Sequence, residues 1–301
     1  MEVSNPDRVV FPEDGITKGE VVGYYVRVAD RMLPFLEGRL LSVERFPRGI
    51  GGQGFMQKNV PDHAPEHLIG RHEVPKEGGG TTLYPMVDSA EGIAFFANLG
   101  VITFHVPPVR AIDEEHADWV IWDLDPPADR VELVREAARE MRAILETFGI
   151  ETFLMTSGSK GYHLRALLEP TTHVEDVALV ARGTAALGAA ANDSLLTLAF
   201  RKADRGDRVF VDWMRNTPRS TSVVPWSLRP KTGAPVATPI AWPELDEIEP
   251  DGIGLMNVQD RSRKRPWSKL QPIDLGPAVE KVRNALDDAT IELEPFDRFR
   301  S

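Results

Sequence analysis

The sequence predicts an α+β fold, and three observations carry that expectation. Apolar runs of strand length are interspersed, in mixed order, with longer stretches of helical periodicity. No internal repeat, low-complexity tract or inter-domain linker interrupts the chain, so a single unit of one or two closely packed lobes is expected. Two of the apolar runs end in aspartates, which places polar chemistry at strand ends. The 301 residues suffice for a substantial core.

The elements follow in order. Thr17 is an N-cap with Glu20 three residues on, a capping box that opens a helix running to about Leu36. Leu40 to Arg45 reads as a strand, Gly49 to Gly54 as a glycine-rich turn, and Phe55 to Lys58 as a further strand. Gly78-Gly79-Gly80 marks a hairpin or exposed loop before Leu83 to Val87. Glu91 to Leu99 is helical, and Val101 to Val106 is a strand carrying His105 near its end. After the Trp119 to Asp125 strand, Val131 to Phe148 has helical periodicity with Gly149 as its stop. Thr152 to Thr156 and Tyr162 to Leu168 are strands, Val174 to Ala191 is a helix, and Arg208 to Asp212 is a strand.

Composition excludes several chemistries. With no cysteine there is no disulfide, thiolate zinc site, iron–sulfur cluster or cysteine nucleophile, so any metal must sit on oxygen or imidazole ligands. The N-terminus lacks a basic n-region and an apolar h-region, and the longest mostly apolar stretch, Ile93 to Val106, is too short to span a bilayer. A cytoplasmic protein without a membrane partner is expected. The formal charge of −11 opposes binding to a polyanion, but its distribution is uneven. Phe200 to Lys231 holds eight basic residues against three acidic ones, whereas Thr232 to Asp260 holds six acids and no base.

The chemistry is concentrated in two constellations. On a strand, alternate side chains share a face, so Asp123 and Asp125 point one way while Leu124 turns into the core. With Asp212 from a second apolar strand, three carboxylates can hold one or two hard cations and leave positions for a phosphate ligand. Paired aspartates also occur in glycosyltransferases, phosphatases and plain surface turns. The second constellation is Ser157-Gly158-Ser159-Lys160-Gly161-Tyr162-His163, between two strands. Small residues admit an anion to the backbone, and the hydroxyls and Lys160 can donate to phosphate oxygens, although the spacing is not that of a Walker loop. The conjunction is far more specific than either part.

These residues resemble the primase-polymerase domain of bacterial ligase D, within the archaeo-eukaryotic primase superfamily. The matching blocks are Asn5 to Pro12, Gly15 to Gly19, Phe55 to Lys58, Phe104 to Pro107, Trp122 to Pro126, Thr156 to His163, Val209 to Trp213 and Pro225 to Arg229, covering roughly residues 3 to 260. The resemblance implies a single primase-polymerase domain over residues 1–301, two-lobed, with an antiparallel catalytic sheet like that of an RNA-recognition motif. Residues after about 260 form a looser extension. It implies template-directed nucleotidyl transfer to a DNA primer 3′-hydroxyl, filling short gaps or broken ends, with ribonucleotides favoured. Asp123, Asp125 and Asp212 match the carboxylates that hold manganese or magnesium in a two-metal site. His105, Ser157, Lys160, His163 and Arg229 match positions that grip the incoming nucleotide, and Ser157 or His105 is the candidate contact to its 2′-hydroxyl. Phe55 matches an aromatic near the nucleotide base, with Lys58 beside it, and Lys18 matches a residue that holds the 5′-phosphate beyond a gap or break. The implied partners are such DNA, ribo- and deoxyribonucleoside triphosphates, Ku and a DNA ligase, in the nucleoid-containing cytoplasm of a prokaryote. End joining and excision-repair gap filling both remain open as roles.

Without the resemblance, His105 and Phe55 read as core residues, Lys18 as a solvated lysine, and Asp88, Asp113 and Asp118 as surface carboxylates. Arg201, Lys202, Arg205 and Arg208 read equally as a phosphate track or a basic loop. Met56 stands where a second aromatic is common, Asn59 where a histidine is frequent, and Ser159 where glycine is usual. No ligase or nuclease domain is recognisable, so a stand-alone polymerase and an excised domain are both open. Two rival functions are a manganese-dependent glycosyltransferase, which leaves Asp212 unexplained, and a non-catalytic DNA-end-binding module, which gains nothing from three carboxylates.

Overall fold

A computed structural model describes residues 2–293 apart from 77, 129 and 262. Its architecture grows from the Trp119–Asp125 strand, where Trp122 and Leu124 are fully buried. The Trp122 indole N–H donates to the Ala181 carbonyl and Thr184 Oγ1, both at 3.1 Å, which pins that face of the strand to the Val174–Ala191 helix. The Val131–Thr147 helix covers the same sheet, and Asp123 and Asp125 leave by the opposite face.

Six strands complete this sheet in the order Leu196–Thr197, Val209–Asp212, Trp119–Asp125, Tyr162–Leu167, Phe153–Thr156 and Pro239–Ile240. All neighbours are antiparallel except the first pair, which is parallel. A second, antiparallel sheet runs Ser222–Val223, Val101–Val106, Ser42–Arg45 and Phe55–Gln57. It is backed by the Lys18–Leu36 and Ala90–Asn98 helices, whose Tyr25 and Phe96 rings meet Phe104 edge-on at 4.9 and 6.4 Å. One apolar core joins the two sheets, taking in Val43 and Phe104 from one and Val120 and Leu164 from the other.

Local chemistry explains most boundaries. The capping box forms as expected, with Thr17 N–H donating to Glu20 Oε2 at 2.8 Å and Glu20 N–H to Thr17 Oγ1 at 3.3 Å. The predicted Leu83 to Val87 segment is one arm of a hairpin, Gly70–Pro75 with Thr81–Met86, whose first arm is too polar to read as a strand. Asp118 corrects an expectation: it is buried, bracketed by the guanidiniums of Arg39 and Arg110. Two cations compensate a buried carboxylate, and one of them lies 79 residues away in sequence. Asp88 and Asp113 are exposed as expected. Among the described residues no helix is long and apolar enough to cross a membrane. Residues 1 and 294–301 of the expected 1–301 domain lie outside the described residues.

The loop between the Phe153–Thr156 and Tyr162–Leu167 strands depends on two glycines. At Gly161 a Cβ would lie 1.8 Å from the Leu124 carbonyl oxygen. At Gly158, with φ +64°, a Cβ would lie 2.7 Å from Arg229 Cγ. Gly161→Ala is therefore expected to lower unfolding free energy in urea by about 3 kcal/mol or more. A loss under about 1 kcal/mol would show that the strand junction relaxes without penalty.

Candidate active site

Strand register assembles the site. Asp123 stands opposite Asp212 on one neighbouring strand and opposite His163 on the other, so the three share one face in a row. Asp125, two residues on from Asp123, shares that face. Beside the row opens a cleft of about 180 Å³. Its lining includes Asp123, Asp125, His163, Ser157, Ser159 and Lys160 together with His105, Val223, Arg229 and Arg215.

The carboxylates are surrounded by cations. Arg215 Nη2 lies 2.9 Å from Asp212 Oδ2 and its Nε 3.7 Å from Asp123 Oδ2, while Arg205 Nη1 lies 3.9 Å from Asp125 Oδ2. Burial works to raise the Asp123 carboxyl, but His163, Arg215 and Arg229 outweigh it and hold this group well below the usual carboxylate range. Asp125 goes the other way, pushed up to about 7 by burial and by the charges of Asp123 and Asp212. Asp212 is pushed up to about 6 by burial, against Arg215 and with Asp123. His163 is held below its ordinary value by burial, and His105 is pushed down to about 3 by burial and by Arg229 and Arg215. Both imidazoles are neutral at pH 7.

Three crowded carboxylates, two of them drawn toward protonation, form a hard-oxygen donor set suited to a divalent cation. Among the described residues no three such side chains converge tightly enough to chelate an ion as they stand. Arg215 supplies counter-charge to Asp123 and Asp212 in this arrangement.

The hydroxyls and Arg229 are placed by the backbone. Ser157 Oγ accepts the N–H groups of Ser159 and Gly161 at 3.1 and 3.2 Å, leaving its own O–H to donate into the cleft. Arg229 follows a segment in which Trp226 adopts φ +73°, an uncommon conformation for a residue of this size. Tyr24 Oη donates to the Trp226 carbonyl at 2.7 Å, and Tyr25 Oη accepts the Leu228 N–H at 3.0 Å. Ser227 Oγ accepts the Phe104 N–H at 2.9 Å, so the long N-terminal helix and the second sheet together fix this turn. The Asn216 side chain donates to the Ile121 carbonyl at 2.7 Å and accepts its N–H at 2.8 Å, continuing the ladder beyond Asp212 and anchoring the turn that carries Arg215.

Seven predicted residues, Asp123, Asp125, His105, Ser157, Lys160, His163 and Arg229, line the cleft. Asp212 is not part of that lining but stands in register with Asp123 on the neighbouring strand. Phe55 is not core: it sits on an edge strand, 46% exposed, with the Arg45 guanidinium 5.9 Å above its ring. His105 is not a satisfied core histidine, since its Nδ1 is buried without a partner among the described residues. Lys18 is not solvated: it is 3% exposed, and Nζ donates to the Ser4 carbonyl at 2.6 Å and Ser4 Oγ at 2.7 Å. Burial, then Arg8 and Arg45, lower its pKa, which marks a cationic cluster apart from the cleft. Arg201 and Lys202 are exposed, whereas Arg205 and Arg208 donate to backbone carbonyls of their own loop. Sequence reasoning assigned no role to Arg215, although its position three residues beyond Asp212 was the available clue.

A sheet that presents strand-end carboxylates in one cleft with guanidinium, lysine and hydroxyl donors has the layout of a phosphoryl-transfer enzyme acting on nucleotides. The family described as "LigD, primase-polymerase domain" matches residues 17–267. The multifunctional non-homologous end joining protein LigD of Mycolicibacterium smegmatis is 32% identical over 305 residues, 99% of this chain and 40% of that protein. The multifunctional non-homologous end joining DNA repair protein LigD of Mycobacterium tuberculosis H37Rv is 35% identical over 256 residues, 82% of this chain and 34% of that protein. Among solved structures, the polymerase domain from Mycobacterium tuberculosis ligase D in complex with DNA superposes with a TM-score of 0.82 at 32% identity, covering 90% of this chain and 97% of that one. The chain belongs to the LigD primase-polymerase domain family and is a nucleotidyltransferase of the polymerase class. It spans about 40% or less of the length of these curated relatives.

The raised Asp125 pKa has a measurable consequence. A folded-state value near 7 against an ordinary 3.8 means that its contribution to stability is complete below about pH 4 and is lost as pH rises through 7. Asn abolishes that titration. Without divalent cations, the melting temperature of Asp125→Asn is therefore expected to exceed wild type by a margin that grows from pH 5 to pH 8; a constant margin would remove the carboxylate crowding.

Proposed function

We propose that the chain is a template-directed polymerase domain that adds nucleotides to a DNA primer 3′-hydroxyl at short gaps or broken ends, favouring ribonucleotides. The observation that carries this reading is the cleft in which Asp123 and Asp125 stand beside Ser157, Lys160, His105 and Arg229. An anionic ligand entering it meets cations and donors, while its reacting end is directed toward the aspartates. Lys160 and Arg229 bind the triphosphate, and the Ser157 O–H, free only to donate, suits a phosphate or 2′-hydroxyl oxygen. His105, neutral, is the other contact for the sugar. Manganese or magnesium held by Asp123, Asp125 and Asp212 as a two-metal site would neutralise charge at the reacting phosphate and lower the pKa of the attacking hydroxyl. His163 holds Asp123 in place through a 3.2 Å contact.

Phe55, exposed on its edge strand, serves to stack near the base, with Lys58 beside it. Lys18 with Arg8 and Arg45 forms the receptor for the 5′-phosphate beyond the gap, where the phosphate takes over from Ser4 as the acceptor of the Lys18 ammonium. The unit works as one primase-polymerase domain over residues 1–301. It acts in the cytoplasm of a prokaryote at the nucleoid, beside Ku and a DNA ligase in end joining or in excision-repair gap filling.

The test is extension of a labelled primer across a short gap with a downstream 5′-phosphate, using manganese or magnesium and either ribo- or deoxyribonucleotides. Asp123→Ala is expected to reduce extension by about 10³-fold with an unchanged melting temperature. Wild-type-like extension by the variant would remove the carboxylate assignment. DNA binding without extension by the wild-type chain would favour an end-binding module, and turnover of a nucleotide-sugar would favour a glycosyltransferase. Lys18→Ala is expected to weaken binding to 5′-phosphorylated gaps about tenfold relative to 5′-hydroxyl gaps. Equal loss on both would remove the phosphate role.

A further inference from the structure

We infer that the basic face shared by the Lys18–Leu36 helix and the segment after residue 260 is a second docking surface for DNA, taking the phosphate backbone of a duplex flank outside the nucleotide cleft. The inference rests on the proposed function only in taking DNA as the chain's ligand.

Sequence concentrates the charge there. In a chain of formal charge −11, residues 261–269 hold five basic side chains, Arg261, Arg263, Lys264, Arg265 and Lys269, and no acid. One carboxylate answers two of them: Glu244 accepts from Arg261 Nη1 at 2.5 Å and from Lys264 Nζ at 2.8 Å. Arg263, Arg265 and Lys269 are exposed and form no ion pair among the described residues.

The helix adds fixed charge to this face. Arg31 Nη1 donates to the Lys264 carbonyl at 3.1 Å, and its guanidinium carbon lies 5.2 Å from the centre of the Trp226 ring. Trp226 is buried, so the stack and the hydrogen bond hold this guanidinium in place while leaving it donors to spare. Arg27 stands one turn earlier on the same side of the helix and is exposed. Burial, then the charge of Arg265, lowers the Arg31 pKa, so these two cations stand close together. Asp30 and Asp260 border the face, and neither pairs with its cations among the described residues.

Cations gathered in this way repel one another unless a polyanion shares them. Guanidiniums suit a phosphate backbone, which they meet through planar pairs of N–H donors. The position of the face favours DNA over an acidic peptide. Trp226 opens the turn that delivers Arg229 to the cleft, and three residues of backbone span at most about 11 Å. A duplex whose end lies in the cleft therefore has a flank beside Arg31 and the cations around it.

The test is fluorescence anisotropy of the full chain with a gapped duplex bearing long flanks, titrated at several salt concentrations. Arg263→Gln/Arg265→Gln/Lys269→Gln is expected to bind about tenfold more weakly at low salt, with the slope of log affinity against log salt shallower by about 2. Its melting temperature and its primer-extension kcat at saturating DNA are expected to stay at wild-type values. Arg139→Gln/Lys281→Gln/Arg283→Gln removes the same charge from other exposed positions and is expected to leave the slope within about 0.5 of wild type. With the flanks trimmed to a few base pairs, the difference between the first variant and wild type is expected to vanish. An unchanged slope in the first variant overturns the inference, as does an equal loss in the second, which would make the effect one of net charge. A difference that persists on trimmed flanks overturns the assignment to a flank. Labelled polyglutamate that binds wild type more tightly than the duplex does, and is released by the first variant, would give the face to an acidic peptide instead. Primer extension by wild type decides the polymerase reading separately: extension with a face that DNA ignores keeps that reading and sinks this inference, and flank binding without extension does the reverse.

Discussion

Pleating through Trp122, Asp123, Leu124 and Asp125 is the constraint from which the site follows. Trp122 and Leu124 are locked beneath two helices, one of them by hydrogen bonds from the indole, so the intervening aspartates have only the cleft face to occupy. A register slip of one residue would drive both carboxylates under the helices and expose the tryptophan. The neighbours are then set by pairing: the residues opposite Asp123 are Asp212 and His163, and the loop that precedes His163 brings Ser157 and Lys160 alongside.

That arrangement concentrates charge, and the guanidiniums make it tolerable. Asp123 stays ionised because His163, Arg215 and Arg229 surround it, while Asp125 and Asp212 are driven toward protonation by burial and like charge. An acidic chain thus keeps a cleft whose charges are nearly matched at rest. The imidazoles contribute geometry rather than charge, because burial among guanidiniums keeps them neutral.

Much of this was legible in the residues because it is local. The alternation at Asp123 and Asp125, the capping box at Thr17 and the glycines of the Ser157 loop depend on neighbours within a few positions, and all three formed. What escaped was non-local. Asp118 is buried because Arg39, far back in the chain, reaches it. Lys18 is buried because the N-terminal segment places Ser4 against its ammonium, whereas its position on a first helical turn reads as exposed. Phe55 looked like core from hydrophobicity and is exposed because its strand lies at a sheet edge. Arg215 gave little signal, since its role depends on a turn held by an asparagine that imitates backbone.

The left-handed backbone at Trp226 carries a consequence for how the protein matures. The turn before Arg229 is held by Tyr24 and Tyr25, whose bonds to it span 202 and 203 residues of chain. An emerging chain can complete its first helix and much of both sheets while that turn is still unmade, because contacts so distant in sequence close late. The Arg229 corner of the cleft is therefore among the last parts to form, and a chain cut short before it would carry all three aspartates, Lys160 and Arg215 without the guanidinium that this turn delivers.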